Sequence, residues 1–279
     1  VEATEIAKLR LFLKMVAVVE VDKRADNLGL DPLPDIDFNI RCGNTLVGYA
    51  TEEELNNDLT WGDMFANAEF KEKVESEMQL VSMAYDTFKY VQLNQGENMA
   101  AFKQAKGELK QRLASLNDTL NRRMHAATHL DYEDWLKSHQ PFHWLAEFYQ
   151  IIKGNGGFDV IIGNPPYVTF TDASLKYNVR QYSTNNTKNL IALCGERFTS
   201  LVCNNASIGY IIPLSGMSID GFESLQNIIY SNCHSWNSYY SGDRNPSELF
   251  TGVKIRAGIY ISRHQKGNGR KYVGRYIKY

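Results

Sequence analysis

The sequence predicts a mixed α/β fold with a mostly parallel sheet, an antiparallel end and a helical insertion. From Phe142 onward, short apolar runs typical of strands alternate with segments of helical periodicity. Before that point, residues 51–140 are rich in Glu, Lys, Gln, Asn, Leu and Met, and no proline interrupts them. We therefore predict three parts, over residues 1–50, 51–140 and 141–279.

The first part predicts a helix, a turn and a strand. Residues 2–19 carry apolar residues at helical spacing, which predicts an amphipathic helix. Residues 29–34 contain the glycine and prolines of a turn. Within residues 36–47, Ile36, Phe38 and Ile40 alternate with polar residues, as they do in a short strand.

The middle part predicts several helices, of which residues 99–125 form the longest. A charged helical segment of this kind is typical of a solvated insertion or a helical lobe. The alternative is a coil that binds a partner.

The last part predicts the sheet. FDVII at residues 158–162 is an apolar run typical of a central parallel strand that is buried on both faces. Two later strands, joined by the Gly267-Asn268-Gly269 turn, predict a hairpin. The predicted helices are residues 142–152, 189–204 and 221–230, and the predicted strands after FDVII are residues 207–212, 236–240, 253–261 and 271–279.

Bulk properties exclude several classes of protein. The composition is globular, with 43% hydrophobic and 22% charged residues, and no apolar run approaches the roughly 20 residues of a membrane span. A net charge of -2 argues against a protein that holds nucleic acid mainly by bulk charge. Four scattered cysteines without a CxxC pair argue against a metal site and fit a reducing cytoplasm.

The candidate site is the loop Asn164-Pro165-Pro166-Tyr167, which directly follows the apolar run. Ligands of open α/β sheets bind outside the carboxyl ends of the strands, so the loop stands in the right place for a site. An isolated loop of this type could simply end a strand and pack its tyrosine in the core. The preceding FDVIIG favours a site.

These residue types suit an exocyclic amine whose lone pair is delocalised into an aromatic ring. The side-chain oxygen of Asn164 can accept one amine N–H, and the carbonyl of Pro165 can accept the other, which localises the lone pair. Two successive prolines, Pro165 and Pro166, stiffen the loop. Tyr167 offers a flat face on which a base taken out of a duplex can stack.

Several segments, in order along nearly the whole chain, resemble the amino-methyltransferases that use S-adenosylmethionine. The closest resemblance is to the N6-adenine DNA methyltransferases of type IIG restriction-modification and phage-exclusion systems, which have the gamma-type order of motifs. The resemblance is carried by EIAKLRLFL, DFNIRCGNTLVG, PFHWLAEFYQII, FDVIIGNPPYV and ELFTGVKIRAGIYI. It implies a partial Rossmann-like methyltransferase fold in a bacterial or archaeal cytoplasmic protein.

The resemblance also implies roles for single residues. Asn164, Pro165, Pro166 and Tyr167 are expected to hold and stack a flipped adenine of double-stranded DNA, and Phe250 is the second stacking aromatic residue. Gly43 and Asn44 are expected beside the adenine of S-adenosylmethionine. Phe250 could instead be a core residue, and Asn44 a turn residue that binds its own backbone. The basic residues around the loop either meet phosphates or are solvated: Lys176, Arg180, Lys188 and Arg244.

The sequence departs from the family pattern at both ends. The glycine-rich cofactor loop is expected upstream of Val1 and the target-recognition domain downstream of Tyr279, so both are expected as partners of this segment. Cofactor binding by the segment alone is expected to be weak or undetectable. Pro34-Asp35 lacks the ExK partner of a nuclease site.

Two alternatives to adenine methylation in DNA remain. Loops of this type also serve in methyltransferases that act on RNA amines or protein amides, although the FHW segment, the helical insertion and CGNTLVG favour DNA. The other alternative is a DNA- or protein-binding module without turnover.

Overall fold

A computed structural model describes residues 2–24, 35–60, 62–94, 98–240, 255–265 and 270–273. The chain divides into two compact units, the first formed by residues 1–44 and 63–126 and the second by residues 45–62 and 127–279. The predicted three-part division stays a prediction. Phe250, Arg244 and the first half of the ELFTGVKIRAGIYI segment lie outside the described residues.

The first unit is helical. It contains α1 (Glu2–Ala17), α3 (Met64–Asn94) and α4 (Met99–His125). Helix α4 matches the predicted bounds, but α3 is longer, because no glycine or proline interrupts residues 64–94. Helices α3 and α4 pack against each other. Each uses one face, on which apolar residues recur every three or four positions. On α4 these buried residues are Ala105, Leu109, Leu113, Leu116 and Leu120.

The predicted strand within residues 36–47 is wrong. The backbone N–H groups of Asn39 and Ile40 both donate to the carbonyl of Ile36, and the N–H of Asp37 donates to the Asp35 carboxylate. Such local bonds offer the backbone an alternative to a strand. Lys106 of α4 then pairs with both carboxylates, which keeps the pKa of Asp37 well below its usual range.

The second unit is a sheet with helices. Its five strands are β1 (Phe158–Gly163), β2 (Val202–Pro213), β3 (Cys233–Tyr240), β4 (Ala257–His264) and β5 (Arg270–Val273). Its α-helices are α2 (Glu52–Asp58), α5 (Tyr132–His139), α6 (Trp144–Glu147), α7 (Leu190–Leu201), α8 (Ser215–Ser218) and α9 (Glu223–Asn232). A π-helical turn (Gln150–Gly154) precedes β1, and 3-10 turns cover Ser183–Thr187 and Asp220–Phe222.

The strand order is β1-β2-β4-β3-β5, and four of the five strands run in the same direction. The mixed α/β fold with a mostly parallel sheet is therefore confirmed. The antiparallel strand is β4, which lies inside the sheet between β2 and β3 and not at its end.

The predicted hairpin between the last two strands is wrong. Both edges of β4 are already paired, one with β2 and the other with β3. The strand β5 therefore pairs in parallel with the far edge of β3, where Trp236 faces Tyr272.

Helices cover one face of the sheet. Ile208, Tyr210 and Ile212 of β2 pack there against residues of α7 and α9, such as Ile191 and Leu225. The residues of β2 that pack on this face alternate with less buried ones, as in a half-covered strand. This core fixes the position of β2. Because β1 is hydrogen-bonded to β2, it also fixes the point along β2 at which β1 ends.

The opposite face carries an exposed apolar row. Ile162, Ile261, Trp236 and Tyr272 follow one another across the sheet, with Gly209 between the first two. Ile162 is 83% exposed and Val160 is 56% exposed. The prediction that FDVII is a central strand buried on both faces is therefore wrong, because β1 lies at the edge of the described sheet.

In the described part of the chain, no helix is both long enough and apolar enough to cross a membrane.

Candidate active site

The Asn-Pro-Pro-Tyr loop begins where β1 ends. Gly163 is the last residue of β1 and pairs with Tyr210 of the parallel strand β2, so Asn164 stands at the carboxyl end of a parallel pair. The side chain of Asn164 is exposed, whereas Pro165 is buried. The loop thus has a fixed base and a polar amide that is open to solvent.

Tyr167 is tied into this loop by its hydroxyl group. The hydroxyl lies 2.9 Å from Asn164 Oδ1 and 2.9 Å from the carbonyl oxygen of Ile211. Ile211 is the residue of β2 that follows the last pair with β1. Desolvation raises the pKa of Tyr167 above its usual value, so the hydroxyl is a donor at neutral pH. A hydroxyl has one proton, so Tyr167 donates to one of the two acceptors at a time.

Residues 168–190 then leave the sheet and return to it, and we call this segment the arm. Its two ends are joined next to Tyr167, because Phe170 N–H donates to Lys188 O (2.8 Å) and Leu190 N–H donates to Val168 O (2.9 Å). The inner side of the arm is apolar, and its buried residues pack with Leu46, Leu193 and Cys194. Those buried arm residues are Phe170, Val179 and Tyr182.

Charged residues of α7 hold the arm. The Glu196 carboxylate accepts hydrogen bonds from the backbone N–H and the hydroxyl of both Ser183 and Thr184, with donor–acceptor distances of 2.7 to 3.1 Å. Arg197 is buried and bonds to Tyr182 and Glu54. Sequence reasoning missed both residues. A signal existed for Arg197, which stands four residues from Leu193 and four from Leu201, on the buried face of its helix.

In the second unit, the end of the DFNIRCGNTLVG segment, from Thr45 onward, lies beside the PFHWLAEFYQII segment. Phe142 N–H donates to Val47 O (2.7 Å), and Leu145 N–H donates to Tyr49 O (3.1 Å). Gly48 has a φ of +124°, and a Cβ there would lie 2.3 Å from the carbonyl oxygen of Phe142. The FHW segment therefore fits against a glycine that no other residue can replace without a shift of backbone.

His143 and Trp144 of that segment serve packing. The Nδ1 atom of His143 accepts the backbone N–H of Tyr49 at 3.1 Å, and the Trp144 indole donates to Thr45 Oγ1 at 3.1 Å. Desolvation lowers the pKa of His143 to about 3. The imidazole is therefore neutral at physiological pH and holds the segment of residues 45–50 in place.

His143 predicts a pH-dependent stability. The unfolded chain protonates a histidine near pH 6.5, about 3.5 units above the folded value, so the unfolded state binds more protons below that pH. The contribution of His143 to the free energy of unfolding is present above pH 6.5 and falls by about 1.4 kcal/mol per pH unit below it. We expect His143→Asn, whose Oδ1 can still accept the N–H of Tyr49, to remove this slope.

Urea unfolding at pH 7.5 and pH 5.5 measures the effect. The wild-type chain should lose about 1.4 kcal/mol more between the two values than the His143→Asn variant loses. Equal losses in the two proteins would contradict a neutral, buried His143.

The remaining predicted residues are placed as follows. Gly43 is exposed and Asn44 is half-buried, both in the first unit. Lys176 and Arg180 are exposed on the arm, whereas Lys188 pairs with Asp172 at 2.6 Å. Among the described residues, no group of three or more His, Cys, Asp or Glu could hold a metal ion.

Taken together, the sheet and the loop define an α/β protein with a polar site at the carboxyl end of a parallel strand. The chain belongs to the Eco57I restriction-modification methylase family, whose model matches residues 1–245.

A protein of Methanocaldococcus jannaschii that is named as a type II restriction enzyme and methyltransferase is 26% identical over 300 residues. The alignment covers 93% of this chain and 25% of that protein, so the chain spans a quarter of the length of this relative. The solved DrdV–DNA complex matches at a TM-score of 0.33 and 10% identity, over 56% of this chain and 20% of that one. A class I S-adenosylmethionine-dependent methyltransferase from Listeria monocytogenes matches at 0.31 and 13%, over 57% and 53%. Scores this low do not define a shared fold.

Proposed function

We propose that this chain carries the target-base site of an N6-adenine DNA methyltransferase in a type IIG or related restriction-modification system. The observation that carries the proposal is the exposed amide of Asn164, held at the carboxyl end of β1 beside the ring of Tyr167. Membership of a restriction-modification methylase family supports methyl transfer as the reaction. The residue types of the loop support an aromatic amine as the acceptor, and adenine in DNA is the acceptor that fits the family.

The loop acts on the amine by accepting its two N–H groups. The side-chain oxygen of Asn164 accepts one, and the carbonyl of Pro165 accepts the other, so electron density is drawn back from the ring to N6. Pro165 and Pro166 limit the backbone of the loop, which keeps the two acceptors in register. Methyl transfer would form the N6–carbon bond as the carbon–sulfur bond of the methyl donor breaks, the sulfur would leave as a neutral thioether, and the surplus proton on N6 would pass to solvent at the exposed loop. Phe250 is proposed as the second residue that stacks on the flipped base.

In this proposal, the hydroxyl of Tyr167 and the incoming amine both donate to the same oxygen, Asn164 Oδ1. In the described structure, the Tyr167 hydroxyl lies 2.9 Å from Asn164 Oδ1 and can take one of the two lone pairs of the oxygen that the amine needs. Because the same hydroxyl also reaches the carbonyl of Ile211, it can release Asn164 to the incoming amine and stay hydrogen-bonded. The ring then remains anchored at the end of β2 as a stacking surface for the base. Stacking of this kind is worth about 1–3 kcal/mol per base, comparable to the cost of extruding it.

S-adenosylmethionine, when bound, supplies the sulfonium methyl group that the amine attacks. Gly43 and Asn44 fit an adenine edge in chemistry, because Gly43 exposes its backbone and the amide of Asn44 carries both donors and an acceptor. We therefore propose these two residues as part of the site for the adenine of the cofactor.

The test is the identity of the methylated product. The complete native gene product should be incubated with S-adenosylmethionine labelled in the methyl group and with duplex DNA, and the digested nucleosides should be separated by mass spectrometry. We expect label in N6-methyladenine. Label only in RNA or in protein amides would mean that the substrate is RNA or protein and not DNA. No label in any polymer would overturn the enzymatic proposal and leave the binding module.

A further inference from the structure

Arg197 is an unusual group for the interior of this unit. It is 1% exposed. Burial lowers the pKa of Arg197, but the nearby Tyr182 and Glu54 outweigh burial and raise the pKa above the usual value, so the guanidinium is charged at physiological pH. Its Nε atom is buried and has no hydrogen-bond partner among the described residues. A buried charge of this kind is weak evidence for stability, because taking the ion out of water opposes the gain from pairing.

The bonds of Arg197 join three separate segments. One terminal nitrogen donates to Glu54 Oε1 and the other to the hydroxyl of Tyr182, each at 2.5 Å. Glu54 belongs to α2, and its second oxygen accepts the backbone N–H of Ala50 at 2.9 Å. Tyr182 belongs to the arm, and its hydroxyl donates to the carbonyl of Leu46 at 3.1 Å.

The network therefore links residues 46–50 to the arm. On one side it fixes residues 46–50, within and just beyond the CGNTLVG segment that is proposed to border the cofactor. On the other side it fixes the arm, whose closed base lies directly after Tyr167. Phe170, near the start of the arm, belongs to the same apolar cluster as Leu46 and Tyr182. Because these side chains are closely packed, a shift of Tyr182 would displace the start of the arm, next to Tyr167.

We propose that Arg197 and Tyr182 are positioning residues for methyl transfer, which hold the arm and the segment of residues 46–50 in one fixed arrangement. The inference rests on the proposed function, and it adds residues that touch neither the base nor the cofactor. A planar guanidinium suits this task because its donors have fixed directions, whereas a lysine ammonium cannot reproduce the two-partner fork. Misplacement of reacting groups by about 1 Å can cost on the order of 100-fold in rate, so a small displacement of the loop is enough.

The test compares Tyr182→Phe, Arg197→Lys and the control Ser174→Ala in the complete native gene product. Tyr182→Phe removes the hydroxyl that bridges Arg197 and Leu46 but keeps the ring in its cluster. Among the described residues, the hydrogen bonds of Ser174 are to Thr171 in the same arm, so the Ser174→Ala change leaves the Arg197 network intact. Should Arg197→Lys fail to fold, Tyr182→Phe alone decides.

We expect Tyr182→Phe to lower kcat roughly 10- to 100-fold with KM for DNA and for S-adenosylmethionine within about twofold, and Ser174→Ala to match the wild type. A variant with a lower unfolding midpoint but an unchanged kcat per folded molecule would overturn the positioning role. If the wild type forms no methylated adenine, the proposed function fails by itself. Hydrogen exchange at the amides of Phe170 and Leu190 then decides: faster exchange in Tyr182→Phe supports the link, and unchanged exchange overturns it.

Discussion

Replacement of Asn164 by alanine is expected to lower kcat for adenine methylation by about 100- to 1000-fold or more, the scale seen when one preorganised hydrogen-bonding group is removed from a transition state. The reason is the loss of the side-chain oxygen that is proposed to accept an N–H of the amine, because alanine leaves only one of the two proposed acceptors. Folding should survive, since the Asn164 side chain is exposed and its hydrogen bond within the described part of the chain is from Tyr167. The hydroxyl of Tyr167 keeps its second acceptor, Ile211.

Two further variants make this result specific. Asn164→Asp keeps an oxygen that can accept an N–H, so it should retain more activity than the alanine variant. Asn155→Ala removes an exposed asparagine from the segment that leads into the opposite end of β1 and should leave kcat unchanged. The measurement is single-turnover methyl transfer to duplex DNA, with circular dichroism to confirm folding. An alanine variant that is folded and within threefold of the wild type would falsify the assigned role of Asn164.

The position of the Asn-Pro-Pro-Tyr loop directly after a strand could be predicted from the sequence because its information is local. Asn164 and Tyr167 follow an apolar run within nine residues of its start at Phe158, and a strand of that length ends where the run ends. The Arg197 network could not be predicted in the same way. Its partner Glu54 is 143 positions away in the chain, and only the folded unit brings the two together.

The same distinction explains the successes and errors in the fold. Helix periodicity is a property of each segment alone, so α1 and α4 agree with the sequence. Strand pairing depends on which strand edges the rest of the sheet leaves unpaired, so the partner of β5 could not be deduced from a turn signal. The burial of β1 likewise depends on its neighbours in the sheet and not on the hydrophobicity of FDVII.

Gly48→Ala is expected to reduce the free energy of unfolding by roughly 3–5 kcal/mol, as the sum of backbone strain and overpacking. At a φ of +124°, an alanine is strained whatever space surrounds it. Here the added Cβ would also lie 2.3 Å from the carbonyl oxygen and 2.6 Å from the carbonyl carbon of Phe142. Both are backbone atoms, so relief requires the FHW segment to move away from residues 47–49. That movement breaks the bond from Phe142 N–H to Val47 O and exposes the buried His143.

Gly154→Ala is the matched control within the same unit. A Cβ at Gly154 meets nothing within 4 Å, and this glycine does not have a positive φ, so its replacement should change stability by less than about 1 kcal/mol. Urea unfolding of the three proteins, followed by tryptophan fluorescence, measures the difference, because Trp144 stands in the affected segment. A Gly48→Ala midpoint equal to that of Gly154→Ala would mean that the two segments are not held against each other at Gly48. The close backbone contact between CGNTLVG and FHW would then have no part in building the site.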